Sequence, residues 1–327
     1  MIRPRKHDKH LPPCVYLRRG AYYYVRRGKW IPLGKREPEA LAQYARLREG
    51  SGGGMAALID DALPVITRDV SASTAKQYRR EAMKLRKVLA EYAPHEVTPR
   101  DVAQIRREAS ARSVAVANRM LTVLRLVFAY ALEEQLVDAN PCVGIKRAHQ
   151  PARTRRLTLG EYAAIRAAAS DRLRVVMDLC ALTGQRIGDV LSIKRSDCGQ
   201  DGIAVQQQKT RARLVIAWTD ELREAVEAAK ALHGPVAGLY LVKGTRGQLG
   251  RPLAYKVIWS DWRAACKAAG VVDANIHDMR AMAATEAQAQ GVDPQALLGH
   301  ADAKMTRRYL RDRTVPVVEP PRLKGRR

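Results

Sequence analysis

Two stretches of this sequence can join no hydrophobic core, and they divide the chain before any secondary structure is considered. Ser51-Gly52-Gly53-Gly54 has almost no side chain to bury and no preferred backbone conformation, so it reads as a flexible linker. The second stretch runs from Lys146-Arg147 through Arg153, Arg155 and Arg156, with Pro151 inside it, and reads as a basic interdomain strap. With 327 residues the chain is long enough for two or three domains. The expected organisation is a small piece over 1–55, a second over 56–145, the strap at 146–156 and a third piece over 157–327.

Each piece has its own periodicity. In the first, CVYLRRGAYYYVRRGKWIPLGK alternates Tyr/Val-rich runs with Arg-Arg-Gly, Arg-Gly-Lys and Leu-Gly-Lys breaks, which predicts three strands with tight turns. A short helix is expected over 37–49. In the second, Tyr78, Ala82, Leu85, Leu89 and Tyr92 fall at three- and four-residue steps, the spacing of one helix face. Thr98-Pro99-Arg100-Asp101 carries a cap, a first-turn proline and an acidic third residue, a helix start. Val116, Met120, Leu124, Val127, Phe128, Ala131 and Leu132 mark a further helix within 113–136, and Asn140-Pro141 ends the helical piece. In the third, Thr158 and Thr219 open helices, and the strand-like runs 203–208 and 213–218 form a hairpin with Lys209 near its turn.

Charge narrows the choice of partner. Lys and Arg number 58 against 33 Asp and Glu, a net charge of +25 and a pI near 10.3. Self-repulsion on that scale is relieved by a polyanion, so nucleic acid is the expected partner. No uninterrupted apolar run is long enough to span a bilayer, and MIRPRKHDKH lacks the apolar stretch of a signal peptide. Five scattered cysteines without a CxxC pair predict a reduced, cytoplasmic chain with no disulfide framework. His7, His10 and Cys14 have no fourth ligand nearby and read as loop residues, so no metal is expected there.

Four segments of the third piece carry chemistry-bearing side chains. In TGQRIGDVLSI, a helix stops at Gly184 and another starts near Arg186, with Asp189 one turn on to steady the arginine. In HDMR, His277 and Arg280 share a face at a helix start, where free backbone N–H groups favour phosphate. In Asp293-Pro294 through Gly299-His300, a short capped helix presents His300. Tyr309 follows nine residues later among arginines. Alone, each is equally a surface arginine, a capping histidine, a turn residue or a packed tyrosine. Together they contain what phosphodiester exchange requires. Guanidiniums neutralise the non-bridging oxygens, a phenol favoured as phenolate by cations attacks, and a lysine protonates the departing hydroxyl. The chain has no G-x-x-x-x-G-K-[ST] phosphate loop and no acidic cluster with metal-ligand spacing, so no cofactor is expected.

TGQRIGDVLSI, HDMR, LLGH and RYL, in that order, resemble the catalytic boxes of the tyrosine recombinases. VANRMLTVLRLVFAYALEEQLVDANPC is similar to the last helices of their core-binding domain, and the front end is similar to the arm-binding domain of temperate-phage integrases of the lambda type. The resemblance implies a multidomain α+β protein: a three-stranded N-terminal arm-binding domain, a helical core-binding domain and a mixed, mainly helical α/β catalytic domain. It implies Arg186 and Arg280 as phosphate clamps, His277 and His300 as the two histidines, Asp189 in support and Tyr309 as nucleophile. The family's lysine lies on a hairpin turn, which points to Lys209; Lys194 and Lys243 are present, but neither flanks a predicted turn. Asp189 stands where many members have Glu, Ala281 where many have His, and Arg311 where His is frequent. The implied activity is strand cleavage and exchange between double-stranded DNA attachment sites through a 3′-phosphotyrosine, by a homo-tetramer, with a host DNA-bending protein and an excision factor as accessory partners. Tyr22, Tyr24, Arg26 and Arg27 on the strands, and Lys146, Arg147, Arg153, Arg155 and Arg156 on the strap, are candidate DNA contacts. Rival readings are a chromosome-dimer resolvase, a type IB topoisomerase and a DNA-binding regulator that has lost catalysis.

Overall fold

A computed structural model of the protein describes residues 10–12, 14–26, 29–49, 54–151, 153, 155–232, 238–242 and 251–310. The chain divides into two compact units, Met1–Ala152 and Arg153–Arg327.

The first unit holds two apolar clusters. Strands β1 (Val15–Arg18), β2 (Ala21–Arg26) and β3 (Lys29–Gly34) form an antiparallel meander in the order β1-β2-β3, and helix α1 (Glu37–Glu49) follows. Gly20, with φ +75°, supports the tight β1–β2 turn, a conformation that costs a side chain but not a glycine. Val15, Tyr22, Leu33, Ala40 and Tyr44 make the small core between sheet and helix.

Four main helices build the second cluster: α2 (Gly54–Ile66), α3 (Ala72–Val88), α4 (Pro99–Arg112) and α5 (Val114–Glu133). The expected face of α3 is observed, with Ala82, Leu85 and Leu89 buried and Tyr78 and Tyr92 packed at the edge. Thr98 and Asp101 form the expected reciprocal cap of α4. By length and composition α5 could cross a membrane. Its apolar side chains are instead committed to this bundle, where Met120, Leu121, Leu124, Val127 and Phe128 are buried. Glu81 is fully buried on α3 and ion-paired to Arg80, Lys84 and Arg119. Burial raises its pKa, but those three cations together hold the carboxyl below its ordinary value.

The second unit comprises α6 (Leu159–Ala167), α7 (Asp171–Thr183), α8 (Ile187–Leu191), the hairpin of β4 (Gly202–Gln206) and β5 (Arg213–Ala217), α9 (Asp220–Ala231), α10 (Tyr255–Ala268), α11 (Asp278–Ala289), α12 (Pro294–Leu298) and α13 (Ala303–Tyr309). Its core gathers Leu157, Ile165, Val176, Met177, Ile203, Val226, Ile258 and Trp262. Helix α11 is buried along almost its whole length and packs on α7, with Ala281, Ala283 and Ala284 leaving room for close approach. Those two helices are the frame on which the site is built.

Candidate active site

The site forms where two helix stops meet a helix start. Helix α7 ends at Gly184 in the left-handed conformation, φ +65°, and Arg186 caps the next helix, α8. Helix α12 ends at Gly299, φ +60°. Both turns leave main-chain carbonyls unpaired by their own helix. Arg280, the third residue of α11, uses them: Nη1 donates to Gly184 O at 2.5 Å and Nη2 donates to Leu298 O at 2.7 Å. Arg280 is only 1 % exposed. Burial first, and the neighbouring Arg186 charge second, lower its pKa from the ordinary guanidinium value.

Arg280 also fixes the chemistry of His300. Its Nη2 lies 3.0 Å from His300 Nε2. A guanidinium has no acceptor, so Nε2 must be the unprotonated nitrogen. The proton then sits on Nδ1, which donates to Thr306 Oγ1 at 3.0 Å. Burial, followed by the charges of Arg280 and Arg186, depresses the His300 pKa to about 4. This histidine is neutral at ordinary pH.

Tyr309 ends α13 and lies between the two imidazoles. Its hydroxyl is 3.0 Å from His277 Nε2. Its ring meets the His277 ring edge-on at 5.5 Å and the tilted His300 ring at 5.2 Å, and the Arg280 guanidinium stands 5.3 Å from its centroid. His277 itself is exposed, with its backbone N–H held by Asn275 Oδ1 at 3.1 Å.

Arg186 completes the cluster from the other side. Its Nη1 donates to Gln207 Oε1 at 2.9 Å and lies 3.9 Å from Asp189 Oδ2. Asp189 is buried, and its Oδ1 accepts the Gln208 backbone N–H at 2.9 Å. Its supporting role in the sequence reading therefore has two parts, a charge near Arg186 and a tie to the hairpin loop. Among the described residues, Asp189 Oδ2 and Arg280 Nε are buried without a hydrogen-bond partner. Lys209 lies in the β4–β5 loop, where the hairpin was expected to put it. Its amine is exposed and makes no hydrogen bond or ion pair among the described residues, so it stands outside the network that joins the others. Lys194 pairs with Tyr240 through a backbone bridge, and Lys243 and Arg311 lie outside the described residues. Ala281 is buried, so no polar side chain replaces the frequent histidine there.

Several of the candidate DNA contacts have partners within the protein, and of these Tyr22 is turned away from the surface. Tyr22 is buried, its hydroxyl donating to Glu37 Oε2 at 3.2 Å, and Tyr24 meets Tyr44 edge-on at 5.5 Å. Strand alternation turns these two toward α1 and sends Tyr23 to the opposite face with Tyr16 and Trp30. Arg27 and the Arg26 side chain lie outside the described residues. On the strap, Lys146 and Arg147 are exposed. The other three arginines are held by carboxylates: Arg153 by Asp273 and Asp278, Arg155 by Glu161, and Arg156 by Glu286. Arg155, ahead of the Thr158 backbone N–H, holds the Glu161 pKa down to about 2. Arg153 has a positioning role that sequence reading missed. Asp278, 1 % exposed, is the first residue of α11, between His277 and Arg280, so the Arg153 fork seats the start of the helix that carries both. Gln185, Gln207 and Thr306 were also missed. His10 lies 3.8 Å from Glu37, and no group of three or more metal-ligating side chains occurs among the described residues. No disulfide joins any of the five cysteines among the described residues.

A phenol in hydrogen-bond contact with one imidazole, beside a second and over a buried guanidinium, can form and break a phosphate ester. Fold and site thus define a tyrosine-type enzyme of DNA strand breaking and rejoining. The phage integrase family model matches residues 155–314, and together with the relatives below it supports a site-specific tyrosine recombinase. The chain is 28 % identical to the integrase of Escherichia phage HK022, over 94 % of this chain and 96 % of that protein. Its fold is similar to that of a lambda integrase dimer bound to a COC′ core site, with a TM-score of 0.74, 24 % identity and coverage of 96 % of this chain and 99 % of that one. A lambda integrase tetramer bound to a Holliday junction gives a TM-score of 0.70 at 24 % identity, covering 90 % of this chain and 97 % of that one.

Proposed function

We propose that the protein exchanges strands between double-stranded DNA attachment sites through a 3′-phosphotyrosine on Tyr309. The observation that carries this reading is the 3.0 Å contact between the Tyr309 hydroxyl and His277 Nε2, set beside Arg280. The phenol proton passes to His277 Nε2 as Oη attacks phosphorus. The bond from phosphorus to the 5′-oxygen breaks, and that oxygen departs with a proton from Lys209. Arg186 and Arg280 neutralise the charge that builds on the non-bridging oxygens, and neutral His300 donates or accepts no net charge while holding Arg280 in line. In the second half, a partner strand's 5′-hydroxyl gives its proton back to Lys209 as its oxygen attacks the phosphotyrosine, and the phenol leaves with the proton returned by His277. One ester replaces another, so the reaction needs no nucleotide. The assembly is a homo-tetramer on two aligned sites, like the lambda integrase tetramer on a Holliday junction. It works in a bacterial host's cytoplasm with a host DNA-bending protein and an excision factor.

The test is covalent capture. Full-length protein is incubated with a pool of nicked duplexes of varied sequence, in which the short 5′-hydroxyl fragment diffuses away after cleavage and cannot rejoin. Denaturing electrophoresis should then show a protein–DNA adduct that Tyr309→Phe abolishes. An adduct that survives in Tyr309→Phe would remove Tyr309 as the nucleophile.

A further inference from the structure

We infer that Gln207 is a positioning residue that sets both clamp arginines and the Lys209 loop relative to one another, an inference that rests on the strand-cutting role proposed above. Its side chain is fully buried between the hairpin and α12. A primary amide has two N–H donors and one oxygen with two lone pairs, and Gln207 uses all four. Oε1 accepts from Arg186 Nη1 at 2.9 Å and from Thr210 Oγ1 at 2.7 Å. Nε2 donates to Gln185 Oε1 at 2.8 Å and to Leu298 O at 2.7 Å.

The polarity of this network admits one arrangement. Arginine can only donate, so the Gln207 atom facing Arg186 must be oxygen. A main-chain carbonyl can only accept, so the atom facing Leu298 must be nitrogen. Gln185 agrees: its own Nε2 donates to the carbonyls of Thr183 and Leu297, at 3.0 and 2.7 Å, leaving its oxygen for Gln207. A glutamate at 207 would bring a second acceptor toward two acceptors, and an aliphatic residue would remove the amide partner of Arg186 and of the buried Gln185 oxygen and leave the Leu298 carbonyl with Arg280 alone.

Three consequences follow from the partners. Arg186 is held by Gln207 directly. Arg280 is held by the same Leu298 carbonyl that receives the Gln207 amide, so the two arginines are registered through one amide and one oxygen. Thr210, the neighbour of Lys209, is tied to the same Oε1, which fixes the loop on which the lysine stands. The two side chains that must meet one phosphate and the loop that must deliver a proton to it share a single internal reference.

The experiment uses a nicked duplex recovered from the covalent-capture test, in a normal form and in a form whose scissile 5′-oxygen is replaced by sulfur. A thiol, with a pKa of about 8.5 against a far weaker acid for the alcohol, leaves without being protonated, so the sulfur substrate reports the arginine clamp without the lysine. Gln207→Met, a substitution of similar volume, should cut single-turnover cleavage of the oxygen substrate by roughly 30- to 100-fold. DNA affinity should stay within about 2-fold, since the change is buried away from solvent. The sulfur substrate should recover only part of that loss. Thr210→Val, in an exposed loop and therefore safe for folding, should slow the oxygen substrate by about 5-fold and leave the sulfur substrate at the wild-type rate. Lys209→Ala marks full recovery. Gln207→Met within about 3-fold of wild type on the oxygen substrate, or a defect wholly in affinity, overturns the inference. So does a Thr210→Val defect equal on both substrates, which would mean simple structural damage. Tyr309→Phe separates the two levels: an adduct in that variant ends the assignment of Tyr309 as nucleophile, whereas its loss together with normal Gln207→Met cleavage ends only this inference.

Discussion

His300 is fixed in one tautomer by neighbours of opposite character, a guanidinium on Nε2 and a hydroxyl on Nδ1. With a folded pKa of about 4 against an ordinary 6.5, the unfolded chain binds the extra proton first as pH falls. Stability that is intact above about pH 6.5 is therefore lost progressively toward pH 4, by roughly 2 kcal/mol at pH 5. His300→Gln should remove that slope, as read from urea midpoints at about pH 7.5 and 5; a variant with the same acid loss as wild type would show that another group carries it. Single residues also show where sequence reading stops. His277, Arg280, His300 and Tyr309 could be found because each lies in a distinctive ordered motif. Gln207 lies in a run of three glutamines, and Tyr22 and Tyr24 flank a third tyrosine. In both runs the functional distinction is which side chain turns inward. That depends on packing against a remote segment, α12 in one case and α1 in the other, and composition carries no trace of it.

Among the secondary-structure elements, the short helix α12 matters beyond its length. Its cap and proline were readable, as was the stop at Gly299. What the stop accomplishes was not, because the Leu298 carbonyl acquires its two partners only when α11 and the hairpin close on it. A Cβ at Gly299 would stand 2.7 Å from Gln207 Nε2, and the backbone there is left-handed. Gly299→Ala should cost about 1–2 kcal/mol from the backbone conformation alone and should lower cleavage as well, by displacing the amide that holds Arg186. Thermal denaturation and adduct formation measure the two effects. Full cleavage activity in a destabilised Gly299→Ala protein would show that the amide tolerates displacement. The strap was legible as basic and coreless, but its arginines were not legible as ion-paired, since Asp278 and Glu286 lie more than a hundred residues away in sequence.

For the whole molecule, the net charge of +25 sets how binding responds to salt. A surface that displaces six to ten counterions from duplex DNA should lose roughly 10³- to 10⁵-fold in affinity between about 50 and 200 mM salt. Filter binding of non-specific duplex over that range checks it, and a shallow slope would mean that the positive charge is largely consumed internally. Arg153, Arg155 and Arg156 already belong to the consumed fraction, so a count of basic residues overstates the contacts available.

The anchoring of Arg280 on Gly184 O and Leu298 O has a consequence for mutational scanning. Every amino acid brings the same peptide oxygen, so swapping the Leu298 side chain leaves the acceptor in place. Intolerance at Leu298 will report its buried packing rather than the acceptor, and intolerance at Gly184 and Gly299 falls on positions with no functional group at all, so a tolerance map alone would miss the atoms that hold the guanidinium.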